Sequence, residues 1–369
     1  MRKYLPILKT RNAEILGMAS LDHATKRSIL PLFELTRPRK NAKITEIGRP
    51  LLTKTHRLLS DYGSEKVGID ITSYESLQDT EVLELYSSAD RFRNWVEFIE
   101  SCRKSFSNII YPTFIVSHDE FDNTDKFIEA HQAQITRLQS ENTRFIYRFG
   151  KDAEEYLEDL NDFFPAKDSN NPIIVFDCAF IPSEKRSSNY ISEFTKVIRE
   201  LYGRDANADV VLAASSFPKS PAKSADEMTG VIPIEEIKIY EACKNDFPNL
   251  IYGDHASLYP LPNEQAGGGG WIPRIDVPIE KEIHFFRSRR NKDVEKNYTS
   301  AYIRAAKRAF KSDAFKISRN LAGENCWGIK QIELAANGYP RGISPSFWIA
   351  VRINIHVTIQ ARMRNGAGR

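Results

Sequence analysis

Residues 173–177 read Ile-Ile-Val-Phe-Asp, four consecutive apolar side chains that end in a carboxylate. Unbroken apolarity over so short a run fits a β-strand buried on both faces, the environment of a parallel sheet wrapped by helices. Around this first run, Ile173–Phe176, seven others stand at Tyr4–Lys9, Leu30–Leu35, Lys66–Ile71, Ile109–Val116, Arg144–Phe149, Asp209–Ala214 and Leu250–Gly253, about 25–40 residues apart. Between them lie stretches of helical periodicity at Ala13–Ser28, Pro50–Ser60, Ala89–Lys104, Asp125–Ser140, Asp152–Phe164, Asn189–Tyr202 and Pro233–Lys244. Alternating strands and helices read as repeated βα units. An open doubly wound sheet gives the same local signal, and the count of eight is what predicts a closed (β/α)8 TIM-like barrel over residues 1–262. Pro6, Pro31 and Pro112 belong at strand ends or bulges, since proline donates no ladder hydrogen bond.

After residue 262 the alternation stops. The glycine run Gly267–Gly270 reads as a flexible linker or lid, because it lacks the spacing of a phosphate-binding loop. A hairpin follows, Trp271–Asp276 with Glu282–Arg287, and then a basic helical stretch, Val294–Phe310. Segment 344–364 reads two ways. Val351, Ile353, Ile355, Val357 and Ile359 alternate with polar residues as in a strand, whereas Ser344-Pro345 starts a helix and Phe347, Val351, Ile355 and Ile359 form an i, i+4 stripe. The helix is the favoured reading, and residues 263–369 become a basic C-terminal hairpin-plus-helix extension that packs on or closes the barrel.

The chain has 369 residues, 41% of them apolar, enough for one large core. It contains no apolar run of about 18 residues and its first residues are not of secretory type, so a soluble, cytoplasmic protein is expected. Cys102, Cys178, Cys243 and Cys326 are far apart, as buried small hydrophobes are, and show no CxxC spacing. The net charge of +3 conceals an asymmetry: residues 281–369 hold 18 Lys/Arg against 6 Asp/Glu, leaving a net of −9 on residues 1–280. Such a basic region suits a polyanionic partner or simply a solvated surface.

Barrel enzymes place their chemistry at the C-terminal strand ends. In this chain those ends carry Lys9, Glu34, Asp70, Arg148, Asp177, Ser215 with Ser216, and Asp254 with His255. A lone charge ending an apolar strand needs water, an ion pair or a site, since burying it unpaired costs several kcal/mol. Three arrangements satisfy it: carboxylates binding a divalent cation such as Mg, with Asp70 and Asp177 as ligands; acid–base catalysis on an anionic substrate held by Lys9 or Arg148, with His255 best placed among the histidines; or ion pairs between neighbouring strands, Lys9–Glu34 and Arg148–Asp177. Converging carboxylates repel, so their pKa values are expected to spread apart. Ser215 and Ser216 lack a nucleophile elbow. In the extension, Arg287, Arg289 and Arg290 beside Phe285 and Phe286, together with Arg352 and His356 on the face of Trp348, form a second candidate surface, for nucleic acid or another polyanion.

Several segments resemble the beta protein family of phages and bacterial mobile elements: YLPILKTRNAEILGMASL (4–21), ILPLFEL (29–35), GIDIT (68–72), YRFG (147–150), VFDCAF (175–180), YGDHASLYP (252–260) and SPSFWIAVRINIHVT (344–358). The resemblance implies a barrel-like fold and a setting of phage–host conflict, without a defined reaction. Family members often end near W…N-H-H-I-T, and Asn354-Ile355-His356-Val357-Thr358 keeps one of those two histidines. The leading expectation is a hydrolase or lyase acting on a phosphorylated or anionic small molecule. The alternative is a non-catalytic scaffold whose basic tail binds nucleic acid or a protein partner from the same operon.

Overall fold

The computed structural model describes residues 3–38, 50–106, 109–117, 119–139, 144–150, 155–164, 172–182, 187–222, 224, 226–262 and 271–366. The run Gly267–Gly270 and the predicted helix ends Ser140 and Asp152 lie outside the described residues.

Among the described residues eleven strands appear in chain order: β1 Tyr4–Lys9, β2 Leu32–Leu35, β3 Val67–Ile71, β4 Ile110–Pro112, β5 Ile146–Gly150, β6 Ile173–Phe180, β7 Asp209–Ser215, β8 Thr229–Pro233, β9 Ile251–Asp254, β10 Arg274–Pro278 and β11 Glu282–Arg287. Eight of them, β1–β7 and β9, make one parallel sheet in the order β4-β3-β2-β1-β9-β7-β6-β5. A parallel bridge between Thr113 and Ile146, where Phe114 N donates to Ile146 O at 2.8 Å, joins the two outer strands and turns the sheet into a barrel. All eight predicted strands belong to it. Pro112 is the last residue of β4 and Pro31 immediately precedes β2, positions that require no ladder donor.

Along each strand, alternate residues point inward and outward. The inward set, including Leu5, Ile7, Leu32, Ile146, Val175, Val211, Ala213 and Ile251, fills the barrel. The outward set packs under the helices. The predicted helix Ala13–Ser28 is two helices, Asn12–Ala19 and His23–Ser28, because Asp22 caps the second by accepting from Thr25 N at 2.7 Å.

The extension has its own core. Ile275 and Val277 of β10 meet Tyr302, Ala305, Ile329 and Ile332 from helices Thr299–Phe310 and Trp327–Ala336. The predicted hairpin is present as β10–β11, and its sheet takes a third strand, β8, from within residues 1–262: β11 pairs with β10 on one side and β8 on the other, both antiparallel.

Segment 344–364 is a helix, Pro345–Arg364, with Ser344 accepting from Phe347 N as its cap. From Ala350 to Ala361 every residue is buried. Ile353, Val357 and Ala361 face the barrel core, while Val351, Ile355 and Ile359 face the second core. Two opposite apolar faces produce the alternation that resembles a strand. Each buried Ile or Val contributes on the order of 2 kcal/mol. The helix sits close to Asn12–Ala19 because residue 17 is glycine: a Cβ there would lie 2.8 Å from the Ala350 carbonyl. No helix among the described residues is long and apolar enough to cross a membrane.

Candidate active site at the barrel mouth

Two residues beyond the last apolar inward position, each barrel strand carries one more inward residue toward its C-terminal end. In chain order they are Lys9, Glu34, Asp70, Thr113, Arg148, Asp177, Ser215 and His255. This ring continues the parity of Ile7, Leu32, Gly68, Tyr111, Ile146, Val175, Ala213 and Gly253. Gly253 is small because strand β7 is close: a Cβ there would stand 2.8 Å from Ala213 Cβ.

Arg148 organises the ring. Its Nη1 donates to Glu34 Oε2 at 2.9 Å and Asp70 Oδ2 at 2.6 Å, while Nη2 and Nε donate to Asp177 Oδ2 at 2.7 and 3.0 Å. Lys9 Nζ lies 3.6 Å from Glu34 Oε1, donates to the Pro260 carbonyl at 2.5 Å and stands over the Tyr74 ring. His255 Nε2 lies 3.0 Å from Asp177 Oδ1, which also accepts from Ala179 N at 2.9 Å. Of the expected neighbouring-strand pairs, both Lys9–Glu34 and Arg148–Asp177 are present, joined into one network.

The carboxylates titrate apart. Burial pushes Glu34 up, but Lys9 and Arg148 outweigh it and hold the group at about 2. For Asp177 burial is again offset, by His255 and Arg148, and its carboxyl is held well below the ordinary range. Asp70 goes the other way: burial raises it, Arg148 compensates only in part, and Glu34 adds repulsion. Tyr74, half-buried, is raised to about 12 by that burial and by Glu34 and Asp177 nearby. A guanidinium occupies the position between Asp70 and Asp177 that one of the three sequence readings gives to a divalent cation, and among the described residues no group of three His, Cys, Asp or Glu has the arrangement of a metal site. The donor set fits an ion-paired arginine.

Asp254 does not join the ring. Placing it at the mouth overlooked strand parity, for it is one residue out of step with His255. Its carboxylate turns outward from β9, accepting from Tyr4 Oη at 2.8 Å, Tyr252 Oη at 3.1 Å and Ala256 N at 2.8 Å, with His356 Nε2 at 2.7 Å. His356 and Arg352 are likewise corrected. Neither lies at the surface: His356 is fully buried against Asp254, and Arg352, 2% exposed, donates from Nη1 to buried Asp276 at 2.6 Å. Their i, i+4 spacing lies on the flank between the two apolar faces of their helix.

Of the remaining tail arginines, Arg287 donates to the Ser224 and Glu227 carbonyls, Arg289 is exposed and paired with Asp226, and Arg290 stands over the Tyr298 ring. They do not form one patch with the barrel mouth. Ser215 donates to the Leu258 carbonyl and Ser216 to Glu236, so both hydroxyls serve turns.

Residues that sequence reading missed include Thr113, whose ring position follows from parity, and Tyr74 and Tyr86, which arrive from the segment after β3. Tyr86 Oη donates to the Ile71 carbonyl at 3.0 Å. Ala179, Ala256 and Ser257 adopt left-handed φ values of 50°, 49° and 61° just after Asp177 and His255. Such conformations cost on the order of 1–3 kcal/mol in non-glycine residues and cluster at functional sites.

Comparison with known proteins gives one family and one curated relative. The family model described as "Beta protein" matches residues 4–362. The chain is 26% identical to "Protein beta" of Enterobacteria phage P4 over 364 residues, covering 98% of this chain and 93% of that protein.

Proposed function

The chain belongs to the Beta protein family, and from that premise we propose a hydrolase or lyase that acts at the barrel mouth on a small phosphorylated or otherwise anionic substrate, in the setting of phage–host conflict. The observation that carries this reading is the His255–Asp177 contact at 3.0 Å, with Asp177 fixed by Arg148 and Ala179 N. A carboxylate in that position orients an imidazole for proton transfer. Asp70, with its proton affinity raised, stands on the same guanidinium as two carboxylates whose affinities are lowered, a separation that lets one group donate a proton while its neighbours stay charged. Lys9 forms one carboxylate ion pair, against three for Arg148, and is the cation we assign to a substrate anion.

The test is turnover of phosphomonoesters, phosphodiesters and sugar phosphates followed by phosphorus NMR. At least one is expected to be converted, and His255→Gln to lower the rate at least about a hundredfold without moving the unfolding midpoint. Equal turnover by both proteins overturns the role of His255. A second reading, a non-catalytic scaffold, draws on the three carboxylates that neutralise Arg148; it requires that no substrate in the panel changes and that binding to nucleic acid or protein survives His255→Gln.

A further inference from the structure

A cavity of about 440 Å³ lies away from the barrel mouth, between the sheet β8-β11-β10 and the start of helix Pro345–Arg364, and shares no residue with the ring. The volume suits a small organic ligand.

Its chemistry is unbalanced. Arg274 and Arg287 are directly opposed across β10 and β11, and both line the cavity. Like charges at opposed positions weaken a strand pair unless something compensates. The cavity's carboxylate is Asp276, whose Oδ2 accepts from buried Arg352 and whose Oδ1 lies 2.9 Å from Arg274 Nε without forming a hydrogen bond. One carboxylate thus serves two arginines, and Arg287 donates to the carbonyls of Ser224 and Glu227, so guanidinium outnumbers carboxylate in the lining by two to one. Burial, with Arg274 and Arg289 close by, lowers the proton affinity of Arg287, and Glu227 opposes this only in part.

One wall is aromatic and braced. Trp271 is 41% exposed, stacks on Tyr298 with ring centroids 4.0 Å apart and donates its indole N–H to Tyr302 Oη at 3.2 Å. Tyr302 in turn stacks on Trp348.

We propose that this cavity binds a nucleoside monophosphate, with its phosphate between Arg274 and Arg287, its base against Trp271 and a ribose hydroxyl donating to Asp276 Oδ1. Guanidinium pairs recognise phosphate through paired N–H donors, an exposed indole stacks on a base, and a buried carboxylate oxygen without a donor accepts a hydroxyl. The three features occur together in one cavity.

Calorimetric titration of the full chain with adenosine 5′-monophosphate tests this. The nucleotide is expected to bind with a Kd below about 1 mM, and adenosine or inorganic phosphate alone at least about tenfold more weakly. Arg274→Met with Arg287→Met is expected to weaken the nucleotide at least about tenfold, and His255→Gln at the barrel mouth to leave it unchanged. Because Arg287 also donates to the Ser224 and Glu227 carbonyls, Trp271→Ala is a second variant at a half-open position, expected to weaken the nucleotide about fivefold with no change in unfolding midpoint. No heat at millimolar nucleotide overturns the proposal, as does inorganic phosphate binding equally well, loss of binding in His255→Gln in place of the pocket variants, or binding of a single-stranded oligonucleotide without the mononucleotide.

Discussion

Asp254 and His255 are neighbours in the chain, yet each belongs to a different aspartate–histidine pair. His255 meets Asp177 at the barrel mouth at 3.0 Å, and Asp254 meets His356 beneath the C-terminal helix at 2.7 Å. The chemical pair is the same and the surroundings differ. At the mouth the side chains of the pair are 5% and 6% exposed and are tied to Arg148, which is 16% exposed. At the seam both members are 0% exposed, two tyrosines occupy the aspartate and the helix covers the pair. One residue of strand parity separates a pair that keeps slight solvent contact from one that has none. The proximity of a carboxylate to an imidazole is therefore no sign of function until its face of the strand is known.

The sharpest way to break this comparison is to remove the imidazole at the seam. His356→Ala leaves Asp254 buried with tyrosine hydroxyls as its side-chain partners, and removing one partner of a buried pair typically costs about 3–5 kcal/mol. At roughly 1–1.5 °C per kcal/mol for a chain of this length, the unfolding midpoint should fall by about 4–6 °C. His255→Gln, by contrast, is expected to leave the midpoint within about a degree. If both changes destabilise alike, the mouth is as structural as the seam.

Asp177→Asn comes next. Its carboxyl is held well below the ordinary range, so its charge stabilises the fold once deprotonated. The neutral amide still leaves Arg148 paired with Glu34 and Asp70. A loss of about 2–3 kcal/mol by chemical denaturation is expected, together with loss of turnover. A full-strength enzyme with this change refutes the orienting role of Asp177.

The two regions also respond oppositely to pH. Near the seam, burial raises Glu236 to about 7, with Asp254 adding repulsion, and burial raises Glu14 to about 7 as well. A raised carboxyl contributes stability that is present below its unfolded value of 4.5 and lost as pH rises through about 7. Glu34 at the mouth, held at about 2, contributes stability present above 4.5 and lost as pH falls through about 2. Between pH 5 and 8 the midpoint should therefore fall with rising pH, and Glu236→Gln should reduce that fall by about 1–2 kcal/mol. An unchanged slope would mean that Glu236 is not the buried proton carrier described here.

Much of this was legible in the sequence. Apolar runs placed all eight barrel strands, and the polar or charged residues at their ends are seven of the eight ring residues, including Arg148 with its three carboxylates. The exception, Thr113, ends no apolar run in a charge. Asp254 misled because adjacency at a strand end was read without counting parity from Ile251. Strand β8, Thr-Gly-Val-Ile-Pro, was invisible because glycine and proline mark a turn and its pairing depends on a hairpin some fifty residues later. Arg352 and His356 read as surface residues because an arginine at helical spacing beside a tryptophan is ordinarily solvated. A helix buried on two faces carries its polar flank inside, and Asp276, the partner that makes this tolerable, lies 76 residues away. Local pattern carries strands and caps, whereas burial of a polar flank is decided by what packs over it.

The smallest expected effect is also the most discriminating. Asp70 and Asp177 both accept from Arg148 and are nearly equally buried, so a purely structural ion cluster predicts that removing either charge costs stability. Their titration differs. Asp70 is raised because burial and the nearby Glu34 outweigh its share of Arg148, so its negative charge works against the fold, and stability tied to its proton is lost as pH rises through its folded value. Asp70→Asn removes that charge, keeps the shape of the side chain and leaves Arg148 with two carboxylates. The unfolding midpoint at neutral pH is expected to stay the same or rise by up to about 1 kcal/mol equivalent, while turnover falls because the proton donor is gone. Retained turnover would assign the acid to another group, and a midpoint loss as large as that of Asp177→Asn would make the mouth a clamp that closes the barrel top.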